Sequence, residues 1–161
     1  MLGEGHIPLR PGIKQLIHDA HAAGITLAIA TTTTPENVSA LLEVGLGKDW
    51  ESYFAAHGCG DIVPHKKPAP DIYYWVLNKL DLSAADCIAL EDSRNGVRSA
   101  LAAGLPVLVT QSTYTQGEDF GSSLAVLTDL GEPDAPCRAL SGRINGSSVV
   151  DVALLRRLHG A

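Results

Sequence analysis

Three polar clusters in this sequence hold the residue types from which a phosphate site is built. Thr31-Thr32-Thr33-Thr34 follow the apolar run Ile25 to Ala30 and precede Pro35. That places them at a strand-to-helix turn, where free N–H groups and the helix dipole favour an anion. The same threonines would serve equally well as a helix cap, and spacing alone does not choose. The second cluster, Val63 to Asp71, sets Lys66 and Lys67 before Pro68 and Pro70, which restrict the local backbone. A preordered ammonium there can neutralise a phosphoryl dianion, while the alternative is a solvated lysine pair. In the third, Glu91 and Asp92 end an apolar strand and are followed by Ser93. Magnesium takes few carboxylates, several waters and a phosphate oxygen, so two acids at a strand end suit it. The alternative makes Asp92 or Ser93 the N-cap of the next helix. Together the clusters offer backbone donors, a cation and a metal site, the parts of a phosphoryl-transfer centre other than its nucleophile.

These clusters need elements to hold them. Pro11 and Gly12 open a helix with Ile13, Leu16, Ile17 and Ala20 on one face and Gly24 just past its end. Ile25 to Ala30 has no helical period and reads as a buried parallel strand. Pro35 then starts a helix with Val38, Leu41 and Leu42 inward, and Thr33 with Glu36 matches a capping box. Trp50 to Asp61 is less regular, a strand end followed by a glycine-rich loop. After Pro70, a helix places Ile72, Trp75, Val76 and Leu80 on one face, and Ser83 with Asp86 forms a short capped turn. Cys87 to Leu90 is a second buried strand, Asn95 to Ala103 a helix closed by Gly104, and Pro106 to Thr110 a third strand. A further strand is expected at Ala125 to Leu127, and residues 133–148 read as a linker before a last helix, Val149 to Leu158. Alternating strands and helices predict an α/β fold: a parallel sheet covered on both faces, with ligands outside the carboxyl ends of its strands. Two of the polar clusters fall at such ends.

At 161 residues the chain is long enough for one cored domain and short for two. Its formal net charge of −6 disfavours nucleic acid and anionic membrane as general partners. No apolar run is long enough to span a bilayer and no signal-peptide pattern opens the sequence, so a cytoplasmic location is expected. Cys59, Cys87 and Cys137 are odd in number and widely spaced, which fits reduced thiols rather than a disulfide framework. His57, Cys59 and His65 are of metal-ligating types but lack a Cys-x-x-Cys partner and a fourth ligand, so zinc is not expected.

The ordered motifs resemble those of the haloacid dehalogenase (HAD)-like hydrolase superfamily. Thr31 with its threonine turn, Lys67-Pro68-Ala69-Pro70-Asp71 and Leu90-Glu91-Asp92-Ser93 resemble the second, third and fourth motifs of that superfamily. Ile7 to Gly12, Ala28 to Val38, Asp61 to Pro64 and Tyr114 to Phe120 resemble its CbbY-like, β-phosphoglucomutase-like branch. The resemblance covers about residues 7–132. It implies a HAD-like Rossmannoid core, three layers with a parallel sheet between helices, over residues 1–135, with residues 136–161 as linker and terminal helix.

It also implies a magnesium-dependent sugar-phosphate phosphatase lineage. Thr31 and the Thr32 N–H would bind the phosphoryl group and Lys67 would balance its charge. Asp92, with Glu91 beside it, would hold Mg2+, and Thr33 and Asn95 would make further pocket contacts. The family's nucleophile and its acid–base partner lie in an Asp-x-Asp motif on a mid-sheet strand. None of the eleven aspartates here is followed by another two positions later. The expectation is therefore a core without its first-motif strand and cap domain, inactive alone. The alternatives are a non-catalytic phosphate and magnesium binding module, or a fragment completed by another chain or by homo-oligomerisation.

Overall fold

Val107, Leu108 and Val109 are wholly buried and point alternately into two hydrophobic clusters. That alternation is what a strand covered on both faces requires. The coordinates are a computed structural model describing residues 12–110, 124–127, 139–141 and 150–160. The elements run α1 (Ile13–Ala22), β1 (Ala28–Ala30), α2 (Pro35–Leu46), a 3-10 turn (Trp50–Tyr53), β2 (Ala56–Gly58), α3 (Asp71–Leu80) and a 3-10 turn (Ala84–Asp86). They continue with β3 (Ala89–Glu91), α4 (Arg94–Ala102), β4 (Val107–Thr110), β5 (Ala125–Leu127), β6 (Ala139–Ser141) and α5 (Val152–Gly160). The strings Ile7 to Pro11 and Tyr114 to Phe120, and Cys137, lie outside the described residues.

One face of the sheet is covered by α3 and α4, whose Ile72, Tyr73, Val97 and Ala100 pack with Val107, Val109 and Val126. The other carries α1 and α5, where Leu16, Val150 and Leu154 meet Leu108 and Leu127. On that second face α2 and the turn after it close over Ile29 through Val38, Leu42 and Trp50. Three layers result, as expected.

Two short stretches differ from the sequence expectation. Trp50 to Ala56 contains a 3-10 turn, and the strand that follows, β2, is parallel to β1 with Ile29 opposite His57. The segment read as a linker contains β6, antiparallel to β5. Nothing in its composition alternates clearly, so its pairing comes from β5 rather than from its own pattern. Asp151 begins α5 by accepting the Leu154 N–H at 2.8 Å.

The sheet falls into two pieces. β1 and β2 form one; β3, β4, β5 and β6, in that order, form the other, and β1 and β3 are not paired. Strand hydrogen bonds show which edges are left over. Leu27 accepts from Ala55 and the Thr31 N–H donates to Gly58, so odd-numbered residues of this segment face β2. Ala28 and Ala30 therefore turn their backbone groups away from it. Likewise the Ala89 N–H donates to Pro106 on the β4 side, which turns the backbone of Leu90 the other way. Leu90 is mid-strand yet 37% exposed, although its register partner Leu108 is fully buried.

Candidate phosphate site

The threonine turn is built by proline. Pro35 occupies the first turn of α2, and a residue before proline is held extended, so Thr34 takes the N-cap with ψ 152°. Its hydroxyl accepts the Asn37 N–H at 3.3 Å. Thr34, not Thr33, is thus the cap, and the threonines ahead of it are free of that duty. The Thr31 hydroxyl oxygen accepts the Thr33 N–H at 3.1 Å. That bond uses a lone pair and leaves the Thr31 hydroxyl proton available to donate. Thr32 is exposed and Thr33 half-buried.

Lys67 reaches between the two pieces of sheet. Its Nζ donates to the Ala30 carbonyl at 3.0 Å and to Glu91 Oε1 at 2.5 Å. Ala30 is one of the β1 residues turned toward the unpaired side, so the ammonium satisfies that carbonyl. An ammonium has three N–H groups, and no third acceptor binds it among the described residues. Lys66 instead pairs with the exposed Asp61 at 2.8 Å, which holds the Asp61 carboxyl below the usual range, first by hydrogen bonding and then by charge. The two adjacent lysines thus divide into an exposed ion pair and an anchored ammonium. The loop behind Lys67 is fixed by fully buried Ser99, whose hydroxyl donates to the Ala69 carbonyl at 2.7 Å.

Glu91 and Asp92 also divide. Glu91 is buried at the end of β3 and receives the Lys67 ammonium and the Tyr73 hydroxyl on the same oxygen, Oε1. Tyr73 is held well above the ordinary phenol range, first by burial and then by the charge of Glu91, its hydrogen bond to Glu91 and the charge of Asp92. Asp92 is exposed. Ser93 takes the N-cap of α4, accepting the Gly96 N–H at 3.1 Å, so Asp92 is spared that role. Asn95 lies exposed in the first turn of α4.

Thr31, Lys67, Glu91 and Asp92 therefore gather at the carboxyl ends of β1 and β3, where an α/β sheet places its ligands. Among the described residues no three His, Cys, Asp or Glu side chains cluster closely enough to hold a metal by themselves. His57, Cys59 and His65 do not assemble: His57 lies against the Trp50 ring with centroids 5.1 Å apart, while His65 bonds Asp71 at 3.0 Å. Asp92 is an exposed carboxylate, a hard oxygen donor of the type that suits magnesium better than zinc.

Tyr73, Gly96 and Ser99 were not singled out from the sequence. The signals are present. Tyr73, Val76, Leu77 and Leu80 keep helical spacing as strictly as the stripe begun at Ile72, and Gly96, Ser99, Ala100 and Ala103 form a buried face of small residues.

A profile of the haloacid dehalogenase-like hydrolases matches residues 1–104. The chain belongs to the haloacid dehalogenase-like hydrolase family. Within it, the chain is 48% identical to the plasmid CbbY protein of Cupriavidus necator over 98% of its own length and 62% of that protein's. It is 46% identical to CbbY of Rhodobacter capsulatus over 81% of its length and 57% of the relative's. The structures of CbbY from Rhodobacter sphaeroides, in complex with phosphate and, as a mutant, with xylulose-(1,5)bisphosphate, superpose with a TM-score of 0.76 at 44% identity, covering 80% of this chain and 57% of theirs. The lineage is CbbY-like, and the chain spans about three fifths of the length of these relatives. Among the described residues, no helix of this HAD-like chain is long and apolar enough to cross a membrane.

Proposed function

We propose that this chain carries the phosphate- and magnesium-binding part of a sugar-phosphate phosphatase site and does not turn substrate over by itself. The observation that carries the reading is Lys67, anchored at both sheet pieces through Ala30 and Glu91, with one N–H that meets no acceptor among the described residues. In this reading the Thr31 hydroxyl and the Thr32 N–H bind phosphoryl oxygens, and Lys67 offsets their charge. Thr33 and Asn95 line the pocket. Asp92 holds magnesium directly or through water, with Glu91 beside it, and the bound ion would neutralise charge developing on the phosphoryl oxygens. The phosphate and xylulose-(1,5)bisphosphate complexes of CbbY support a small phosphorylated metabolite as the ligand class. A cytoplasmic site of action belongs to the same proposal, as Cys59 and Cys87 are free thiols.

The absence of an Asp-x-Asp pair from the sequence supports inactivity, because the resemblance puts the nucleophile and its acid–base partner in that motif. Assay of the purified chain with magnesium and a panel of phosphate esters tests this. Turnover at an ordinary enzyme rate of about 1 s⁻¹ or more, lost in Asp92→Asn, would overturn it.

The divided sheet favours a second reading, in which another polypeptide or a second copy of this chain supplies a strand between β1 and β3. Light scattering that finds only monomer at high concentration rules out closure by a second copy. A third reading, a binding module without catalysis, is tested by calorimetry with phosphate and magnesium, and binding unchanged in Lys67→Ala removes it.

A further inference from the structure

Glu91 lies next to the residue assigned to the metal, yet its own surroundings are those of an anchored counter-ion. Both donors that reach it, the Lys67 ammonium and the Tyr73 hydroxyl, converge on Oε1. Two donors use the two lone pairs of that oxygen. Oε2 lies against the Cα of Gly96, so close that a Cβ at position 96 would overlap it. The Tyr73 ring also lies 5.3 Å from Lys67 Nζ, so ring and hydroxyl act on the two halves of one ion pair. We propose that Tyr73 and Gly96 hold Glu91 as the fixed counter-ion of Lys67, which makes Tyr73 a positioning residue for the phosphate-binding ammonium. The inference rests on the phosphate-site reading of Lys67 and adds to it the groups that aim the lysine.

The physical reason is a count of freedoms. A lysine side chain loses substantial rotamer entropy when it is fixed, and an ammonium fixed by one contact still swings. With Glu91 locked by a buried hydroxyl and by the backbone of α4, the acceptor cannot follow the ammonium, and the remaining N–H of Lys67 keeps one direction. Glycine at 96 is required for this, as any side chain there would displace the carboxylate.

Hydrogen exchange at lysine ammonium groups, read from 1H–15N spectra of the full chain, tests the inference without needing a ligand. The chain has five lysines, and the Lys67 signal is assigned by its loss in Lys67→Arg. In the parent, the Lys67 ammonium should exchange more slowly than the other four. Tyr73→Phe keeps the ring and removes only the hydroxyl, and should speed Lys67 exchange roughly tenfold, the scale of one hydrogen bond to a charged group. Gly96→Ala should act in the same direction. In a Glu91→Ala background Tyr73→Phe should have no further effect on Lys67, a coupling that a packing role for the ring would not produce. Titration with inorganic phosphate should show about three- to tenfold weaker binding for Tyr73→Phe. A Lys67 signal as fast as the exposed lysines, or unmoved by Tyr73→Phe, overturns the proposal. If Lys67 responds but inorganic phosphate fails to bind the parent, the counter-ion assignment stands and the phosphate-site reading falls.

Discussion

Lys67 Nζ lies 2.5 Å from Glu91 Oε1, and this ion pair joins two pieces of sheet that share no strand pairing. Lys67 also holds the last carbonyl of β1, whereas Glu91 is the last residue of β3. The contact that prepares an anion site is thus also a structural tie across the gap, and stability and binding should respond together.

The first expectation concerns that tie. The side chains of Lys67 and Glu91 are only 13% and 7% exposed, so removing one leaves the other charged, buried and unpaired. Lys67→Ala should destabilise the chain by about 3 kcal/mol. The double replacement Lys67→Met with Glu91→Leu should cost less, because no charge is then stranded. Urea unfolding of the two variants measures this. A double variant as unstable as the single one would show that the tie contributes through packing alone.

The threonine turn yields a separation of roles. Thr34→Ala removes the α2 cap and should cost about 1 kcal/mol with little effect on phosphate binding. Thr31→Ala should do the reverse, weakening phosphate binding while leaving the thermal midpoint nearly unchanged. Melting curves and calorimetry on both variants check the pair of outcomes. Equal loss of stability in both would return the whole run to a capping role.

Much of this arrangement is legible in the residues themselves. Pro35, Gly24 and Gly104 mark the helix ends, and the apolar runs before Thr31 and Glu91 announce strands. What the sequence hides depends on neighbours. β1 is three residues long rather than the six of its apolar run, since a strand is defined by its partner and β2 is short. β6 has no pattern of its own and exists through β5. The division of Glu91 from Asp92 is likewise invisible locally: two adjacent acids at a strand end point to opposite sides, and only tertiary packing decides which side is buried. Tyr73 was hidden because two helical stripes, from Ile72 and from Tyr73, overlap at Val76 and Leu80, and both Ile72 and Tyr73 turn out to be buried.

Cys59 supplies a pH expectation. Burial pushes its thiol above the ordinary value of 9.0, so the folded state resists forming the thiolate that the unfolded state forms freely. The folded pKa is the higher one, so the stabilising contribution is complete below about pH 9 and is lost as pH rises toward the folded value. Stability should fall above that point by up to about 1.4 kcal/mol per pH unit for this group, and Cys59→Ala should flatten the slope. The same burial should keep Cys59 unreactive toward iodoacetamide at pH 8 until urea unfolds the chain, as peptide mapping would show. Rapid labelling of Cys59 in the folded chain would contradict the placement of this residue against Val38, Leu42 and Trp50.

The divided sheet makes the last prediction. The backbone N–H groups of Ala28, Ala30 and Leu90 face the side where β1 and β3 have no strand neighbour among the described residues, whereas Leu108 and Val109 lie in β4 between paired strands. Amide exchange in the isolated chain should therefore be fast at Ala28, Ala30 and Leu90 and slow at Leu108 and Val109, with a difference of several kcal/mol in opening free energy. Ala28 and Ala30 are half-buried whereas Leu108 and Val109 are wholly buried, so burial acts in the same sense as hydrogen-bond direction, which alternates along a strand. If a strand from another polypeptide fills the gap, adding that polypeptide should slow exchange at Ala28, Ala30 and Leu90 together, since one inserted strand pairs with both edges at once. Protection of Leu90 without Ala28 and Ala30 would mean that only β3 had been extended, with the two pieces still joined by the Lys67 tie and by the packing of α3 across them.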